Sequence, residues 1–388
     1  MQLQEVNNKS FIDAFHQLPY SIYKNDSNWT PPLRISIEEI FDPSKNHSLK
    51  DGDACRWLLI DDGKVIGRIA AFWVPTYAYS FDQKTGGVGF FECIDNQEAA
   101  NKLFDTAILW LKEHGMEACD GPINIGENFV NWGLLADGFM KQGYGMPYNP
   151  KYYRLLFENY GFKIYYKQYS YHLNITSPDL PGRFWKIAEW RFKRPGYTFK
   201  KFRVKNKQRF IKDFLEIYEK AWISHDNYKK IDGKDISDMI EQSKMLLDED
   251  FIWFVYYKGK PISFFMMVPD FNQLFRYCGN GKLNIVKGLK LMILKAMRVI
   301  TRCRVLVMGV VPEFQNLGIE SAIFYKLRKV LLKKNWYKEM ELGWVGDFNP
   351  KMISLFESVG GKKAKTHMTY RYLFDRTKEF NMASLSKY

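Results

Sequence analysis

The stretch Val310–Glu320, VVPEFQNLGIE, carries the most information in the chain. The alternation before it predicts a strand over Arg304–Val311, which runs into Pro312. Gln315, Asn316 and Gly318 follow, and then Ile319, Ala322, Ile323, Leu327, Val330 and Leu331 fall on one helical face. The first N–H groups of a helix lack partners inside it and carry partial positive charge, so an anion is their natural occupant. Gly318 removes the Cβ that would hold a phosphate away. Glu320 pulls the other way. In the first turn it stabilises the helix by about 0.3–1 kcal/mol. Against a pyrophosphate about 4 Å away it costs about 1–4 kcal/mol. Its side chain is expected to turn to solvent and leave only its N–H facing the anion.

Working outward, the chain reads as an internal duplication. WLLIDDGKVIG from Trp57 matches WFVYYKGKPIS from Trp253, each a strand, a glycine turn and a strand. NPKYYRLLFENYGF from Asn149 matches NPKMISLFESVGG from Asn349, and FIDAF from Phe11 matches FIKDF from Phe210. Three matches in one order at nearly one offset predict two similar mixed α/β units. In the second half the patterns predict a strand over Tyr197–Val204 and helices over Phe210–Trp222 and Asp235–Leu247. They further predict a hairpin of Phe251–Tyr257 and Pro261–Val268. The expected domains are 1–178 and 190–376, with a tail over 377–388.

A V-x-P-x-x-Q-x-x-G junction between strand and helix, with an asparagine opening a later helix, resembles the GNAT (GCN5-related N-acetyltransferase) family arranged in tandem. The resemblance implies a mixed β-sheet flanked by helices in each half. It further implies transfer of an acyl group from acetyl-CoA, or another acyl-CoA, to an amine. Carried over, Val310 and Val311 would pair with the pantetheine arm and hold the oxyanion. Gln315, Asn316, Leu317, Gly318, Ile319 and Glu320 would form the pyrophosphate loop, and Asn349 would stand beside the pantetheine. The family's usual tyrosine acid falls at Phe356, matched by Phe157 in the first half, and phenylalanine donates no proton. Glu339, Glu341 and Asp347 are the carboxylates left as bases, with exposed strand positions as the plainer reading of the two glutamates.

At the equivalent junction of the first half, FFECIDNQEAANKLF, Asp95 and Glu98 have capping-box spacing, and alanine (Ala100) stands at the glycine position. Self-capping leaves no room for a phosphate, so the expectation is one CoA site per chain, in the second half. The offsets also place an insertion at 120–148, where Asn124, Asn128, Asn131, Trp132 and Tyr148 form either an acceptor loop or a structural one. A second insertion near Gly279–Ile300 reads as a basic, apolar helix that is a lid, a brace or a membrane-surface contact.

Composition narrows the class. With 388 residues and 46% hydrophobic content, the chain can bury more than one core. Five scattered cysteines without a C-x-x-C, and histidines without metal-ligand spacing, argue against zinc and disulfides and for a reducing compartment. The polar start MQLQEVNNKS lacks the pattern of a secretory leader, so the expected location is cytoplasmic. The net charge of +14 thickens between Lys193 and Lys212, read either as a solvated surface or as attraction to an anion. Two alternatives therefore stay beside the acyltransferase: an aminoacyl-tRNA-dependent transferase of similar fold, and a pseudo-enzyme that only binds ligand. The expected acceptor is a small-molecule or peptide amine.

Overall fold

The structure, a computed structural model, describes residues 1–79, 83–125, 132–176, 182–222, 231, 233–244 and 247–383. The first half of the chain runs β1 (Gln2–Glu5), α1 (Lys9–Ile22), α2 (Arg34–Phe41), β2 (Asp53–Asp61) and β3 (Lys64–Trp73). It continues through α3 (Pro75–Ala78), β4 (Thr85–Cys93), α4 (Gln97–Glu113), β5 (Ala118–Gly121), β6 (Leu134–Asp137), α5 (Tyr153–Tyr160) and β7 (Lys163–Asn174). The second half runs α6 (Gly182–Phe192), β8 (Tyr197–Lys201), α7 (Lys207–Trp222), α8 (Gly233–Ser243), β9 (Ile252–Tyr257), β10 (Lys260–Pro269) and α9 (Asn272–Phe275). Then come α10 (Ile285–Ala296), β11 (Arg302–Val310), α11 (Ile319–Lys333), β12 (Glu339–Gly346), α12 (Pro350–Ser358) and β13 (Lys362–Leu373). The strand expected over Tyr197–Val204 stops at Lys201 because a short 3-10 turn takes Val204–Asn206. The glycine turns of the two hairpins share one conformation. Asp62 and Gly63 have φ of 45° and 72°, and Lys258 and Gly259 have 46° and 83°, the signature of a type I′ turn.

Two compact units result. Unit 1 combines Met1–Tyr169 with Asn272–Met297 and Lys365–Ser384, and unit 2 combines Ser170–Phe271 with Arg298–Ala364. Unit 1 orders its strands β1-β2-β3-β4-β5-β13, with β6 also on β13. The α4 residues Ala99, Leu103, Phe104, Ala107 and Leu111 pack on this sheet, and Phe104 stacks on Phe91 at 4.9 Å. The β5–β13 ladder is tied by a buried bidentate pair, Arg371 Nε to Asp120 Oδ1 at 2.6 Å and a second nitrogen to Oδ2 at 2.8 Å. Unit 2 orders β8-β9-β10-β11-β12, and the end of β7 from Ser170 lies beside β12. The buried face of α11 carries Ile319, Ala322, Ile323, Leu327, Val330 and Leu331, the residues its periodicity selects.

In each unit a pair of parallel strands meets at one end and then parts. In unit 1, β4 and β5 pair only from Thr85/Ala118 to Gly87/Asp120. The gap beyond is filled by the unit's own chain. Ile123 N–H donates to Val88 O at 2.8 Å, and Phe90 N–H donates to Asn124 Oδ1 at 3.0 Å. A Cβ on Gly89 would lie 2.0 Å from Ile123 O, so only glycine lets the segment approach this closely. The following helix is capped by Asn96, whose Oδ1 accepts from Ala99 N–H at 2.9 Å. This corrects the expected cap at Asp95: the extended backbone of Asn96 aims its side-chain oxygen at the third helical N–H.

Candidate functional site

In unit 2 the parallel strands β11 and β12 pair from Arg302/Glu339 to Arg304/Glu341, and past that point no further pair forms between them among the described residues. Past Arg304 the β11 edge of this wedge-shaped opening carries half-buried Leu306, Val307 and Met308. A bulge sits here as well. The β10–β11 register slips between Met266 and Met267, so that Leu306 has no opposite residue. Beyond the bulge the hydrogen bonding on the β10 side is fixed by Val311 N–H, which donates to Ile262 O at 2.9 Å. Alternation along a strand then turns the polar groups of Val310 and Met308 to the other edge, towards the wedge. Val311 is therefore corrected as a wedge donor, because its N–H is spent inside the sheet.

The wedge leads to the loop. Gln315 Nε2 donates to Val310 O at 3.1 Å, which pins the loop to the strand end. Asn316 and Gly318 take left-handed backbone, with φ of 61° and 78°, and Gly318 is the N-cap of α11 with no side chain capping it. Gln315, Asn316 and Leu317 are exposed, Ile319 is buried, and Glu320 is half-buried. The uncapped first turn thus faces outward, in contrast to the Asn96-capped start of α4. Glu320 does not turn fully to solvent as expected, and burial pushes its carboxyl above the ordinary range.

A cation stands at the same place. Arg191, on α6, donates from a guanidinium nitrogen to Leu317 O at 2.9 Å, and its side chain would lie 3.3 Å from a Cβ on Gly318. Sequence reasoning missed Arg191, which is 126 positions from its loop partner along the chain. The only sequence signal was its place two residues before the basic run that starts at Lys193. Cations of that run are engaged locally: Lys193 with Glu189, Lys201 with Asp250, Arg203 with Glu249, Lys207 with Glu241 and Arg209 with Asp213.

The remaining selected residues sort as follows. Asn349 is the N-cap of α12, and its Oδ1 accepts from Met352 N–H at 3.1 Å. Phe356 is buried, edge-on to the Tyr171 ring at 5.7 Å. Glu341 is 2% exposed, which corrects its reading as an exposed strand residue. It faces Arg304 in the ladder, at the closed end of the wedge. Glu339 and Asp347 are half-buried. In unit 1, Trp132 is a core residue, its ring 4.8 Å from that of His367. Tyr148 donates its hydroxyl to Asp26 Oδ2 at 2.6 Å. Asn128 and Asn131 lie outside the described residues. Among the described residues no group of three or more metal-ligating side chains converges, and no helix is long and apolar enough to cross a membrane.

No model of a known protein family matches the chain. It is 25% identical to protein YghO of Escherichia coli strain K12 over 387 residues, covering 94% of this chain and 93% of that one. It is 24% identical to the bacterial ceramide synthase of Caulobacter vibrioides over 375 residues, covering 92% and 94%. Among solved structures, a tandem GNAT protein from the clavulanic acid biosynthesis pathway superposes with a TM-score of 0.57 at 9% identity, over 97% of this chain and 100% of that chain. The chain has a tandem GNAT fold. A GCN5-related glucosamine N-acetyltransferase region of a fungal multi-domain GH3 beta-N-acetylglucosaminidase gives a TM-score of 0.58 at 12% identity. There the match covers 96% of this chain but only 38% of the fungal one.

Within the tandem GNAT fold the two units differ at the gap between the parallel strands. Unit 1 fills it with Ile123 and Asn124 and caps the helix behind it with Asn96. In unit 2 the corresponding strands part with no such hydrogen-bonded plug among the described residues, and the helix start is uncapped.

Proposed function

We propose that this protein transfers an acyl group from an acyl-CoA to an amine, with the CoA held by unit 2. The observation that carries the reading is the wedge between β11 and β12 leading to the uncapped start of α11 beside Arg191. The residues fit a pantetheine-pyrophosphate. Val310 turns its N–H to the wedge, half-buried apolar residues of β11 border it, and Asn316–Glu320 with Arg191 offer N–H groups and one cation to the phosphates. Gln315 acts one step behind, by holding the loop on the strand.

When bound, acyl-CoA supplies the activated acyl group; this chain's residues bind, orient and stabilise. Val310 N–H is the strand donor placed to hold a developing oxyanion, in the role first expected of Val311. No phenol stands at Phe356, so leaving-group protonation falls to water or to the incoming amine. Glu341 serves as an acceptor set among arginines, and Asp347 is the more accessible carboxylate for the amine's proton. Full-length similarity to a protein named as a ceramide synthase supports N-acylation as the reaction, because a ceramide is an N-acylated long-chain amino alcohol. It also favours a long-chain amine as acceptor. The local pairing of basic residues around α7 leaves fewer cations for an RNA backbone, which weighs against a tRNA substrate.

Calorimetric titration of the full chain with CoA, acetyl-CoA and palmitoyl-CoA, followed by thiol-release assays on an amine panel, tests the proposal. Saturable binding at one site per chain with amine-dependent thiol release supports it. Binding without release on every amine leaves a binding protein, and absence of binding removes the CoA site.

A further inference from the structure

The basic helix in the second-half insertion has a face that is exposed among the described residues. Its lead-in loop is fixed to unit 1: Arg34 N–H donates to Gly281 O at 3.0 Å, Arg34 Nε donates to Asn280 O at 3.0 Å, and Lys282 pairs with Asp13. Asn284 caps α10 through Lys287 N–H. The helix then seats Leu291 against the protein as its one buried residue. On the opposite face Ile285, Val286, Leu289, Ile293 and Met297 are 84%, 74%, 61%, 60% and 69% exposed. At 100° per residue these five span about 120° of arc, centred opposite Leu291. An outward stripe of this size on an anchored helix is unusual for a surface that meets only water.

Charge decides what covers the stripe. From Phe271 to Pro312 there is no aspartate or glutamate, while Arg276, Lys282, Lys287, Lys290, Lys295, Arg298, Arg302 and Arg304 all occur. Lys290 is exposed at the edge of the stripe, while Lys282 in the lead-in loop is held by Asp13. Lys287 is instead turned inward, onto Cys278 O and Lys282 O. A second copy packed on this face would set lysines against lysines with no acid in the segment to offset them. An apolar stripe bordered by Lys290, in a segment that is basic and free of acids, on a helix too short to span a bilayer matches the surface of an anionic one. We infer that α10 lies in the headgroup plane of an anionic membrane and holds unit 1 there through Ile285, Val286, Leu289, Ile293 and Met297. The inference does not rest on the acyl-transfer reading, since it uses no residue of the CoA wedge.

The test is co-sedimentation of the full chain with phosphatidylglycerol vesicles and with phosphatidylcholine vesicles. The wild type is expected to pellet with the first and little with the second, and less as salt rises. The double variant Ile285→Ser, Ile293→Ser touches no core residue; its partitioning is expected to fall at least about tenfold at unchanged melting temperature. CoA binding by that variant in solution is expected to match wild type, which keeps this test separate from the fate of the proposed activity. Three results would overturn the inference: equal pelleting of variant and wild type, no pelleting of wild type on anionic vesicles, or a dimer in light scattering that the variant converts to monomer.

Discussion

Replacing Gly318 by valine probes the cradle most sharply. Gly318 has φ +78° and ψ 23°, a left-handed conformation that costs a residue bearing a Cβ about 1–2 kcal/mol. The new Cβ would meet Arg191 Cγ, Cδ and Nε at 3.3 Å, so the arginine must move and loosen its 2.9 Å bond to Leu317 O. That bond is solvent-exposed and adds about 0.5 kcal/mol, the low end for a hydrogen bond. The total is about 2 kcal/mol, which lowers the melting temperature of a unit of this size by about 4–8 °C. Binding is expected to suffer separately. The valine methyls cover the first helical N–H groups, and losing one charge-assisted hydrogen bond to phosphate costs about 1.5–3 kcal/mol, or at least about tenfold in Kd. Calorimetry with CoA well below the variant's melting temperature reads the second effect free of the first. A destabilised but folded variant that binds CoA like wild type would refute the argument.

Other expectations follow from the same geometry. Burial raises the Glu320 carboxyl above its ordinary value of 4.5, so the folded state holds that proton more tightly and loses stability as pH rises through the folded-state value. Glu320→Gln is therefore expected to be more stable than wild type at neutral pH, with the difference vanishing below pH 4.5 in thermal melts, and to bind CoA more tightly by up to about 1 kcal/mol. Arg371→Met leaves Asp120 buried without its bidentate partner and should cost about 3–5 kcal/mol in denaturant unfolding. By the same logic a 1–178 fragment, which lacks β13, should show less cooperative unfolding than the intact chain. Asn124→Ala frees the Phe90 N–H and should cost about 1–2 kcal/mol without adding a second CoA site, which stoichiometry from calorimetry checks.

Much of the architecture was legible in local pattern. Strand alternation, the I′ turns and the helix after Gly318 depend on neighbours a few residues apart, and the sequence carries those directly. What escaped depends on distant chain segments. Asn124 reaches Phe90 across 34 positions, and Arg191 reaches Leu317 across 126; no periodicity announces either. Glu341 alternates like a surface residue, yet β12 is covered on both faces, so alternation gave no sign of its burial. Asp95 and Asn96 both suit a helix start, and only the backbone angles choose between them. The direction of the Val311 N–H likewise hangs on the β10 register, which is set by a bulge.

Amide hydrogen exchange of the full chain with and without CoA tests the central claim most directly. Protection is expected over Leu306–Ala322, including the first turn of α11 and Val310, with the start of α4 at Asn96–Ala100 unchanged. Protection confined to the α4 start, or none over Leu306–Ala322 at saturating CoA, would contradict it.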